Sequence, residues 1–250
     1  MIIKEIRAKS VLSASKIYPY VINPYAGCQH ACSYCYARFM KKFTGHREAW
    51  GDFVDVKINA PDCLRADIRK KEKDTVWMSG VCDPYQPLEE KYRLTRACLE
   101  ILAENGWPAA IQTRSPLVTR DMDIINRMAG TEAGFSVPTA DDSVRMIFEP
   151  LAPSIERRIS ALDELHRCGI RTYAMIAPLL PGAEELPALL AGKVDHIIVD
   201  RLNYNYADAL FRENNLGDFL KDAFFSAAAR SIAADCARLK IPCRTVFNPL

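Results

Sequence analysis

Short β-branched runs alternate with amphipathic, glycine-ended segments along this chain, at a period of about thirty residues, and that rhythm leaves few folds open. Strands are expected at Tyr20-Val21-Ile22-Asn23, Thr75-Val76-Trp77-Met78, Ala109 to Thr113, Gly134-Phe135-Ser136-Val137, Thr172 to Ile176 and His196 to Val199. A helix between successive strands returns the chain to the same end, so the strands pair in parallel through right-handed crossovers. The expected class is α/β, a partial (β/α)6 TIM-type barrel with a parallel sheet.

Helix boundaries follow from cap residues. Asn59-Ala60-Pro61 opens one helix, Thr95 caps the next, Thr119 caps Asp121 to Met128, and Ser154 caps the helix bearing Ile155, Ile159, Leu162 and Leu165. Gly106, Gly130 and Gly169 end the last three. A helix from about Gly217 to Lys240 and a strand at Arg244-Thr245-Val246-Phe247 close the unit. With no linker or low-complexity stretch, 1–250 reads as a single domain with its core at about 20–200.

Within that rhythm stands Gly27-Cys28-Gln29-His30-Ala31-Cys32-Ser33-Tyr34-Cys35, directly after the first strand. Three cysteines at this spacing converge on one small inorganic body. A [4Fe-4S] cube ordinarily takes four cysteines, so a three-cysteine loop leaves one iron open to a non-protein ligand. Zinc held by the three thiols and His30 is the competing reading, but His30 sits inside the tripod and would have to fold back onto the same ion. The nine cysteines are an odd count that fits a reducing cytoplasm better than a disulfide framework. Cys98, Cys168 and Cys236 fall in helical patterns as small hydrophobes, and Cys63 and Cys243 carry no assigned role.

A formal charge of +2 gives no electrostatic sign of nucleic acid. No apolar run approaches the ~20 residues of a membrane span, and Met1-Ile2-Ile3-Lys4-Glu5-Ile6 is too charged and short for a secretory signal.

The cysteine loop resembles the signature of the radical SAM superfamily. Flanked by Asn23-Pro24-Tyr25-Ala26-Gly27 and Tyr36-Ala37, it is similar to the spore photoproduct lyase-related branch. Ser79 to Pro87, Thr113-Arg114-Ser115-Pro116, Phe135-Ser136-Val137, Phe148-Glu149-Pro150 and Ala177 to Gly182 continue the likeness over about residues 20 to 182. The resemblance implies a [4Fe-4S] cluster on Cys28, Cys32 and Cys35 whose fourth iron binds S-adenosylmethionine (SAM). It further implies reductive cleavage to a 5′-deoxyadenosyl radical that takes hydrogen from a substrate carbon.

Other roles follow position by position. Tyr34 and Tyr36 resemble adenine contacts, Tyr36 with its side chain toward the substrate. Ser79 belongs to a loop whose backbone meets the amino group of SAM, Arg114 suits its carboxylate, and Ser136 and Glu149 resemble ribose contacts. Ala177 lies at the fifth strand end, where barrel loops gather ligands. Cys82 is a candidate hydrogen donor, although alignment puts Gly80 at the branch's cysteine position. Tyr85 or Gln86, in the stiff Asp83-Pro84-Tyr85-Gln86-Pro87 loop, is expected over a cavity. Tyr204 and Tyr206, with Asn203 and Asn205, form a further patch. Glu149 has Arg145 and Arg157 as nearby pairing alternatives.

The substrate stays unidentified. The expected partners are that substrate and a reductant such as flavodoxin or ferredoxin, with the chain a monomer. A DNA photoproduct (thymine dimer) lyase is one alternative, weakened by the near-neutral charge. A non-catalytic iron-sulfur electron-transfer protein is another, but it would have no use for Arg114 or Ser136.

Overall fold

The computed structural model describes residues 1–248. Eleven strands form two sheets among them. The strands are β1 (Ile2–Ile6), β2 (Leu12–Ala14), β3 (Tyr20–Ile22), β4 (Tyr25–Ala26), β5 (Phe53–Lys57), β6 (Val76–Met78), β7 (Ala109–Thr113), β8 (Glu132–Ser136), β9 (Arg171–Ile176), β10 (His196–Val199) and β11 (Cys243–Thr245).

In the large sheet the order is β11-β10-β9-β8-β7-β6-β3-β2. Every neighbouring pair from β3 to β11 is parallel, and only β2 on β3 is antiparallel. All six expected strands are present in this α/β fold, and the expected closing strand is β11, Cys243–Thr245, parallel to β10. The sheet has two edges, β2 and β11, and does not close into a barrel.

The inner strands are apolar on both faces, as parallel strands covered by helices must be. Ile22, Met78, Ile111, Phe135, Ile176 and Val199 are fully buried in the main core. Against them pack the helices Ala60–Ile68, Leu94–Glu104, Ile155–Arg167 and Asp222–Leu239, with Leu64, Leu99, Leu162 and Ile232 buried.

Three cap expectations are corrected. Thr95 lies inside its helix, its hydroxyl donating to Pro84 O, while Glu89 accepts from the N–H groups of Thr95 and Arg96. The capping carboxylate thus comes from the preceding helix, Leu88–Tyr92. Thr119 sits within a 3-10 turn, Pro116–Asp121, that Ser115 caps through Leu117 N–H; the following helix spans Met122–Ile125. Asn59 stands before its helix, but its side chain exchanges two hydrogen bonds with the backbone of Ala8. Ser154 caps Ile155–Arg167 as expected, accepting from Arg157 N–H.

A small sheet, β1-β5-β4, was not anticipated from the sequence. It supports the root of the cysteine loop, because β4 ends at Ala26 and pairs antiparallel with the buried β5. Gly27 then turns the chain at φ +93°, where a Cβ would lie 2.3 Å from Phe53 O. Only glycine permits that approach.

Candidate active site at the strand ends

Because β3 and β6 to β10 run parallel, the segments that follow them lie along one edge of the sheet. Asn23 and the cysteine loop, Ser79, Arg114, Ser136, Ala177 and Asp200 all stand there. Hydrogen bonds and buried charges show how these segments are held together.

Glu149 is the hub of the first group. Fully buried, it accepts from Arg114 Nε at 2.7 Å and from the Tyr34 hydroxyl, and it ion-pairs with Arg158 Nη2 at 2.5 Å. Cys32 Sγ lies 3.9 Å from the same carboxylate. Burial alone would raise the Glu149 carboxyl, but Arg158 and Arg114 outweigh it and hold the group at about 2. The pairing alternatives are corrected: Arg145 meets only the backbone carbonyl of Glu149 while its guanidinium grips Asp142. Arg158 was missed, since its position on a helix gives no sign that its guanidinium reaches Ser136 O and Glu149.

Asp83 is the second hub, also missed. Its carboxylate accepts from Thr113 Oγ1 at 2.6 Å, Tyr85 N–H at 2.9 Å and Arg114 N–H at 2.7 Å, with His30 Nε2 at 3.3 Å. The His30 contact is close but out of line, so both ring nitrogens of this buried histidine lack a hydrogen bond. Burial works to raise the Asp83 carboxyl, yet His30, Thr113 and the Arg114 N–H hold it at about 2. One side chain therefore joins the loop after β6 to the end of β7 and lies against His30 of the cysteine loop.

Asn23 and Gln86 complete the frame. Asn23 Oδ1 accepts from Ser79 Oγ, Gly80 N–H and Val81 N–H at 2.8 to 3.0 Å. Gln86 accepts from Gln29 N–H and donates to Gly27 O, while Gln29 accepts from Leu88 N–H. Gln86 clamps the cysteine loop and does not overhang a cavity. Tyr85 is corrected too: its ring is fully buried in the main core, with the Arg120 guanidinium 5.9 Å from its centre.

The other expected residues divide by exposure. Ser136 is buried and accepts from Gln112 Nε2 at 3.0 Å. Ala177 is half-buried and precedes Pro178 through a cis peptide bond. Cys82 Sγ lies 2.9 Å from Ser79 Oγ, and burial pushes its thiol up to about 12. Tyr36 is 40% exposed, donates to Gly80 O and stacks on Tyr204, which lies parallel to Tyr206. A cavity of about 220 Å³ opens beside Tyr204, lined by Arg201, Asn203, Asn205 and Asp208 among others.

The family model described as the radical SAM superfamily matches residues 22–186. The chain belongs to the radical SAM superfamily. An uncharacterized protein of Methanocaldococcus jannaschii is 40% identical over 179 residues, covering 71% of this chain and 67% of that one. One of Mycobacterium bovis is 30% identical over 190 residues, covering 71% and 56%. The chain therefore spans about two thirds and a little over half of these relatives. A spore photoproduct lyase complexed with dinucleoside spore photoproduct shares the fold, with a TM-score of 0.69 at 15% identity over 98% of this chain and 82% of that one.

Membership in the radical SAM superfamily implies SAM and an iron-sulfur cluster, and the donor set here fits both. Cys28 and Cys32 are buried and Cys35 half-buried, and burial raises all three thiols, with further repulsion among them. Coordination is what deprotonates such thiols. Among the described residues no three His, Cys, Asp or Glu side chains are arranged to hold a single metal ion. A cluster carries its cysteines on separate irons and does not need that arrangement. Two guanidiniums, Arg114 and Arg158, share one carboxylate beside Cys32, so the local charge suits an anionic group. No helix among the described residues is long and apolar enough to cross a membrane.

Proposed function

We propose that this radical SAM chain is an enzyme that binds a [4Fe-4S] cluster on Cys28, Cys32 and Cys35, cleaves SAM reductively, and takes a hydrogen atom from an organic substrate. The observation that carries this reading is the meeting of Cys32, Tyr34, Arg114 and Arg158 on one buried carboxylate, Glu149. When bound, the reduced cluster supplies one electron that splits SAM into methionine and a 5′-deoxyadenosyl radical.

The chain's own residues hold and screen. Gly27 seats the cysteine loop against β5, Gln29 and Gln86 hold it to the loop after β6, and Asp83 joins that loop to the end of β7. Arg114 would hold the methionyl carboxylate of bound SAM, and Glu149 keeps its guanidinium oriented. Tyr34, 6% exposed, excludes water beside Cys32. Ser79, Ser136 and Ala177 line the remaining edge for the amino and ribose groups. Tyr36, 40% exposed, stands on the more open side, whereas Cys82 is packed against Ser79 and the small-sheet core and would reach a substrate only across Ser79.

Anaerobically reconstituted protein given dithionite and SAM is expected to release 5′-deoxyadenosine, and Cys32→Ala to abolish it. Persistent cleavage in that variant, or zinc in place of iron in the purified protein, overturns the reading. The dinucleoside named with the lyase of like fold makes a DNA lesion one substrate to assay, alongside the products of the SAM reaction.

A further inference from the structure

Immediately after Cys35, the turn Tyr36–Met40 and the helix Lys41–Thr44 bring cations and exposed aromatic rings together. Residues 36–47 hold Arg38, Lys41, Lys42 and Arg47 and no acidic residue, in a chain whose whole formal charge is +2. The remainder is therefore net acidic. None of these four cations has a carboxylate partner among the described residues: Arg38 lies over the Tyr206 ring at 5.5 Å, and Lys41 donates to Arg47 O. Between them Phe39 is 40% and Phe43 75% exposed, edge to face at 6.3 Å.

Unpaired cations around exposed aromatic side chains are the make-up of a protein docking surface with an apolar centre and a charged rim. Its place is equally informative. It begins at Tyr36, directly after Cys35, the last of the three proposed cluster ligands. The two phenylalanines meet edge to face, and Phe39 also lies against Tyr36, so the exposed rings gather into one compact apolar centre.

We propose that residues 38–47 are the docking surface for a small acidic one-electron carrier protein, a claim that rests on the function proposed above. One electron passes from the reduced carrier to the cluster, the carrier is oxidised by one electron, and no bond or proton changes place. Lys42, Phe43 and Arg47 take part only in docking, since none touches the cysteine loop's hubs.

The test compares the reconstituted protein with a Lys42→Glu/Phe43→Ser/Arg47→Glu variant, using a purified acidic flavodoxin as the probe. Fluorescence anisotropy at low and high salt reads binding, and stopped-flow absorbance reads cluster reduction by the reduced flavodoxin or by dithionite. The expected result is binding that weakens with salt in the parent and is about tenfold weaker in the variant. Dithionite reduction should be equal in both. Equal flavodoxin affinity in the two proteins overturns the proposal, as does failure of the parent to bind. Equal loss of dithionite reduction overturns it as well, and so does capture of a single-stranded oligonucleotide in place of the carrier. Absence of SAM cleavage with dithionite in the parent overturns the function proposed above and leaves the binding result standing.

Discussion

Arg114 Nε and Glu149 Oε1 meet at 2.7 Å although 35 positions separate them in the chain. The bond joins the end of β7 to the segment after the helix Asp142–Phe148, and Arg158 closes the carboxylate from the other side.

Glu149→Gln removes a fully buried charge between two guanidiniums and leaves both uncompensated. Breaking a buried pair in this way costs about 3 to 5 kcal/mol. Urea unfolding of the metal-free variant should show a loss of that size, whereas Arg145→Gln, which leaves Glu149's charge partners in place, should lose less.

Asn23→Ala strands Ser79 Oγ and the N–H groups of Gly80 and Val81. At about 1 kcal/mol for each hydrogen bond, the loss is about 3 kcal/mol. Asn23→Asp keeps the acceptor oxygen and should recover most of it, which denaturant midpoints for the two variants will show.

Gly134→Ala places a Cβ about 2.4 Å from the ring of Tyr173, whose hydroxyl donates to Ile111 O. The ring is buried and cannot swing away, so overpacking should cost about 1 to 3 kcal/mol. Adding Tyr173→Leu should make the alanine less harmful than it is alone, and a double-mutant cycle measures that coupling.

His46 bridges Asp55 through Nε2 at 2.9 Å and Glu48 through Nδ1 at 3.0 Å, lying flat on Phe53. Burial lowers its imidazole pKa, but the bonds to Asp55 and Glu48 outweigh that and raise it. A raised folded value means stabilisation fully present below the unfolded pKa of about 6.5 and lost as pH rises through the folded value. Unfolding free energies measured from pH 5 to 8 should fall across that window in the parent and flatten in His46→Gln.

Local periodicity made the parallel strands legible, and the cysteine spacing singled out the loop after β4 as the candidate site. The small sheet was not legible, because Ile2–Ile6 is mostly exposed and mixes in Lys4 and Glu5, while Phe53–Lys57 carries a buried Asp55 that only His46 explains. Thr95 was read as a cap because its neighbours suit one, but the capping group, Glu89, belongs to the helix before. Tyr85 was placed by its stiff loop, which says nothing of the direction of a side chain that the core absorbs. Asp83, His30 and Arg158 act through partners 9 to 53 positions away on other elements, and no short motif records such pairings.

The single oxygen of Asn23 that gathers Ser79, Gly80 and Val81 has a mechanical consequence. With Asp83 also reaching His30 and Gln86 holding Gln29, the loop after β6 and the cysteine loop form one girder. Neither can hinge without the other. Whatever breathing admits a ligand to this edge must come from the opposite bank, where Tyr204 and Tyr206 stand exposed on the loop after β10.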